Sequence, residues 1–70
     1  MARFQDVQVV KLLRALPEYG LNAGDHGTIV MVYPQMPQAY EVEFVDGEGK
    51  TTALVTLLEE DLEGIEQLSF

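Results

Sequence analysis

The chain has 70 residues, no cysteine and a formal net charge of −8. That length is one small domain, which buries roughly 60% of the surface its unfolded chain exposes. Without cysteine there is no disulfide framework, no thiolate zinc site and no cysteine nucleophile.

The N-terminal stretch MARFQDVQVV has no long apolar run, so no signal peptide is expected. Nothing approaches the roughly 18 apolar residues of a membrane helix. The expectation is a cytoplasmic protein with no membrane partner. Val7 to Leu12 is β-branched and partly alternating, which predicts a first strand. Leu12 to Leu16 either extends it or forms one helical turn. Pro17 ends regular structure, and Gly20 and Gly24 suit the positive φ of a compact loop over residues 17–25. Leu21 is the expected anchor of that loop in the core. Thr28 to Tyr33 is continuously apolar and β-branched, the pattern of a bent strand in a small barrel. PQMPQA, residues 34–39, reads as a proline-marked loop.

Tyr40-Glu41-Val42-Glu43-Phe44 alternates strictly. It places Tyr40, Val42 and Phe44 inward and Glu41 and Glu43 outward. DGEG at 46–49 predicts a hairpin, with Asp46 and Gly47 as its turn. Thr51 to Leu57 returns, its inner face carrying either Ala53, Val55 and Leu57 or Leu54. EEDL at 59–62 reads as one helical turn, followed by a short last strand over Gly64 to Leu68. The sum is an all-β, five-stranded chain with a long loop after strand one. Closing such a sheet hides its edges and gives an SH3-like barrel.

Three stretches, LPEYGLNAGDHGTIVMVY, AYEVEFVDGEGKTTALVTL and a following DL, carry a family likeness over about residues 5–62. Together they resemble a small bacterial family of unknown function, domain of unknown function 4926. The resemblance implies an SH3-like barrel and no established activity. The Gly24-x-x-Gly27-Thr28-Ile29-Val30 turn is also similar to KOW-type modules of ribosomal and transcription proteins. It is similar as well to cofactor-free subunits that dock ferredoxin near photosystem I. One fold hosts many functions, so these likenesses speak for the fold alone.

Candidate chemistry is sparse. His26 is the only histidine, and Thr28 on its face is a poor nucleophile, so it reads as an exposed turn residue. Glu41 and Glu43 lie about 7 Å apart on an open face, which lacks the enclosure that carboxylate catalysis needs. DGEGK lacks calcium-loop ligand spacing, so no metal site is expected. Gly24 and Gly27 precede a strand rather than a helix, so they form a structural turn and not a phosphate cradle. No catalytic residue and no cofactor are expected.

Charge and exposure point instead to a partner. From Glu41 onward there are nine acidic residues and one lysine. Such a field repels phosphate backbones, which disfavours nucleic acid, and it suits either solubility or a basic protein. Tyr19, Tyr33, Met36 and Pro37 either form a loop patch for that protein or pack on the barrel. Leu68 and Phe70 either cover the barrel or join a second chain as a homodimer. The leading expectation is a non-enzymatic interaction module, an acidic accessory or regulatory subunit, with an antitoxin-like partner as one version. A KOW-type nucleic-acid module and an electron-transfer accessory subunit are the alternatives.

Overall fold

A computed structural model describes residues 4, 5 and 7–65. Strict alternation in Tyr40–Phe44 sets the centre of the architecture. Tyr40 and Val42 are fully buried and Phe44 nearly so, while the intervening glutamates face outward. This segment is the middle of β3, Ala39–Val45. Around it lie β1 (Val9–Leu12), β2 (His26–Tyr33), β4 (Thr51–Leu58) and β5 (Leu62–Gly64). All five form one antiparallel sheet in the order β4-β3-β2-β1-β5. A 3-10 turn at Pro17–Tyr19 sits in the long loop, and another at Glu59–Asp61 precedes β5.

The all-β, five-stranded expectation holds, and the strand order is consistent with an SH3-like fold. Among the described residues no ladder joins β4 to β5, so the sheet is open there. The two edge strands still share one core: Val55 and Leu57 from β4 and Leu62 from β5 belong to the same cluster as Val10, Leu12 and Ile29. Ala53, Val55 and Leu57 form the inner face of β4, and Leu54 points to solvent.

Strand β1 is shorter than its sequence suggests. Val7 has φ 59° and is exposed, so it belongs to a turn. Its N–H donates to Ile29 O at 2.7 Å, while Gln8 N–H closes back on Gln5 O at 3.1 Å. A β-branched residue rarely adopts this backbone conformation. The bend expected in Thr28–Tyr33 is a β-bulge. Ile29 pairs with Val42 and Met31 with Glu41, leaving Val30 as the extra residue. The bulge resets the alternation, so Ile29 and Val32, three positions apart, both reach the core.

The loop before β2 follows its sequence. Gly20 and Gly24 have φ of 70° and 96°. Leu16 and Leu21 pair back to back, N–H to O in both directions, and both are buried. Gly27 does not belong to this turn. It lies inside β2, buried, with its missing Cβ position 2.6 Å from Val42 Cγ1 and 2.8 Å from Phe44 Cε1. Close packing under the Phe44 ring, not a bend, requires glycine here.

The hairpin also differs in detail. Asp46 starts the turn, but Gly47 does not carry its unusual conformation; Gly49 does, at φ 82°. The Asp46 carboxylate Oδ1 accepts from Glu48 N–H at 2.8 Å and Lys50 N–H at 3.0 Å. Asp46 N–H donates to Lys50 O, and Gly49 N–H to Asp46 O. That pattern is a type I turn closed by a glycine bulge, rather than a two-residue Asp-Gly turn. Gly49→Ala should therefore cost about 1–2 kcal/mol, whereas Gly47→Ala, with open space around its Cβ position, should change stability little. Urea midpoints of the two variants measure this. Equal midpoints would contradict the turn assignment.

At the other sheet edge Asp61 is buried and does two things. Its Oδ2 accepts Leu58 N–H at 3.0 Å, and its Oδ1 accepts Arg14 Nε–H at 2.8 Å. That hydrogen bond, then the attraction of the same carboxylate, raises the Arg14 pKa further. The last strand begins at Leu62, directly after this turn, and not at Gly64. Leu68 and Phe70 lie outside the described residues.

Candidate functional site

Register determines which side chains share the outer face of β2, β3 and β4. Thr28, Glu43 and Leu54 form one row across the three strands; Met31, Glu41 and Thr56 form the next. Val30 stands beside them at the bulge. Two carboxylates thus occupy the middle strand with apolar groups on both sides. Val30, Met31 and Leu54 are 42%, 50% and 53% exposed.

The carboxylates are oriented by hydroxyls. Thr56 Oγ1 and Tyr33 Oη both donate to Glu41 Oε1, the latter at 3.3 Å. Thr51 Oγ1 donates to Glu43 Oε2. None of these bonds uses Glu41 Oε2 or Glu43 Oε1. Among the described residues the ion pairs are Lys11–Glu63 and Arg14–Asp61, both at the β1–β5 side. No described cation pairs with Glu41 or Glu43.

The aromatic residues singled out in the sequence do not gather into one patch. Tyr33 ends β2, half-buried, with its hydroxyl on Glu41, so it belongs to the carboxylate face. Met36 projects from the β2–β3 loop and is 94% exposed. Tyr19 lies at the opposite end of the sheet. There it lines a shallow open depression with Leu21, His26, Phe44, Asp46 and Thr52. His26 is exposed at the start of β2, across the ladder from Lys11. Among the described residues no group of three or more His, Cys, Asp or Glu side chains is placed to hold a metal ion. No helix among them is long and apolar enough to cross a membrane.

Sequence reasoning found Glu41 and Glu43 but missed Val30, Met31 and Leu54. Alternation in β3 is strict and gives the two glutamates, but register shifts on both sides, at Val30 in β2 and at Thr52 in β4, block a count from β3 to Val30, Met31 and Leu54.

Residues 7–64, from just before β1 to the end of β5, match the family profile described as Domain of unknown function (DUF4926). The chain belongs to this family. No curated protein and no solved structure matches it. The DUF4926 match spans every strand, so it covers both the core around Phe44 and the outer face around Glu41 and Glu43.

Proposed function

We propose that this DUF4926 domain is a non-enzymatic protein-interaction module, an acidic accessory or regulatory subunit that docks a basic protein. The observation that carries the reading is the outer face of β2–β4. Two hydroxyl-oriented carboxylates stand there among exposed Val30, Met31 and Leu54, with no described cation paired to either. Apolar contact supplies affinity at such a surface, and the charges supply steering and register. The net charge of −8 extends that steering field over the whole molecule. Masking of a basic toxin is one version of this role.

The test is kinetic. Glu41→Gln/Glu43→Gln keeps hydrogen-bond acceptors for the threonine hydroxyls and removes both charges. It should slow association with the partner about tenfold at low salt, with little change in dissociation. The difference should shrink as salt shortens the Debye length to about 8 Å and below. Association rates unaffected by the double variant would remove this face from the interface.

A further inference from the structure

Strand β4 is the outermost strand of the sheet, paired with β3 alone. Its sequence, TTALVTLL, has no charge and no proline over eight residues. The register with β3 shifts at Thr52 and then runs without a bulge from Ala53 to Leu58, and among the described residues no loop backbone bonds to this stretch. Thr51, Thr52, Leu54 and Thr56 are exposed along it. Sheet edges are usually protected by lysines, prolines, bulges or a covering segment. Between the bulge at Thr52 and Leu58, whose N–H is held by Asp61, this edge has none of these, and its outward backbone groups form a template for another strand.

We propose that β4 receives an extended segment of the basic partner as a sixth strand, with lysine or arginine at alternate positions. This rests on the partner being basic and names the form in which it binds. Charge complementarity selects the occupant. An added strand would lie about 10 Å from β3, two strand spacings away. Its outward side chains would flank Leu54 and Thr56, beyond which Glu43 and Glu41 stand in the same rows. A lysine and a glutamate together span that distance. Main-chain bonds to β4 give affinity, and alternate cations meeting two carboxylates two residues apart give register. A second copy is the poorer fit, because it brings another −8 of charge to the same edge. That repulsion is also how a bare edge is tolerated without self-pairing.

The experiment uses the full chain and two capped probe peptides of alternating lysine and valine, as long as β4. The second carries N-methyl groups on alternate backbone nitrogens, so its charge is unchanged and one hydrogen-bonding edge is lost. Binding is measured by titration, and amide exchange is followed by NMR. The proposal predicts that the plain peptide protects the outward-pointing β4 amides, those that do not bond β3, and binds about tenfold or more tighter than its methylated analogue, through several backbone hydrogen bonds. Equal, salt-sensitive binding of both, with β4 unprotected, would overturn strand addition while leaving the acidic docking face intact. Binding of neither would overturn both readings. The outward-pointing β4 amides, those that do not bond β3, already protected in the protein alone would show the edge to be occupied by the chain itself or by a second copy, and would overturn the proposal.

Discussion

Gly27→Ala should destabilise the fold by about 2 kcal/mol, because overpacking a filled core costs 1–3 kcal/mol. A methyl group there would sit 2.6 Å from Val42 Cγ1 and 2.8 Å from the Phe44 ring. Both neighbours are buried and cannot swing into solvent. Replacing glycine also restricts the unfolded chain, a gain of about 0.4–1 kcal/mol, which the clash outweighs. In a domain of this size the loss corresponds to a melting temperature lower by about 10 °C. The close approach itself is tested by a second substitution. Val42→Ala removes the nearest methyl, so Gly27→Ala with Val42→Ala should cost less than the sum of the two by about 1 kcal/mol. Additive losses in denaturant unfolding would place the strain elsewhere.

Tyr40→Ala should have the larger effect, about 3–5 kcal/mol, the usual cost of emptying a buried aromatic site. A chain this short has total stability on the order of 4–10 kcal/mol, so the loss is a large share of the total. Tyr40 has no exposed surface, and its ring meets Phe4 edge-on, centroids 5.3 Å apart. Its hydroxyl accepts Phe4 N–H at 3.2 Å and donates to Glu59 Oε2 at 2.6 Å. One side chain thus ties β3 to the N-terminal segment and to the turn before β5. Tyr40→Phe keeps the ring and removes the hydroxyl, and should cost about 1–2 kcal/mol. Urea midpoints at unchanged m-value separate the two contributions. A Tyr40→Phe protein as stable as wild type would show that the hydroxyl contributes nothing.

Both predictions bear on what the sequence alone can reveal. Tyr40, Val42 and Phe44 were legible because strand alternation is a local signal. Gly27 was not. A glycine in a turn and a glycine beneath a ring look alike in one chain, and only the pairing of β2 with β3 brings Phe44 over it. DGEG locates the hairpin, but the choice between Gly47 and Gly49 depends on which backbone N–H groups the Asp46 carboxylate accepts. The interaction face divides the same way. Glu41 and Glu43 are outward by alternation, whereas Met31 and Val30 are exposed because of a bulge inside a continuous apolar run. Tyr19 and Tyr33 look equivalent in the sequence, yet the topology sends them to opposite ends of the sheet.

The most direct measurement is affinity capture of the tagged chain from its native cells, at low and high salt, beside a Glu41→Lys/Glu43→Lys variant of equal melting temperature. One basic protein should be recovered in stoichiometric amount by the wild-type chain at low salt. It should be reduced at high salt and lost with the variant. Equal recovery by the variant, or recovery only of proteins carried through nucleic acid, would contradict the assignment of the Glu41–Glu43 face as the docking surface.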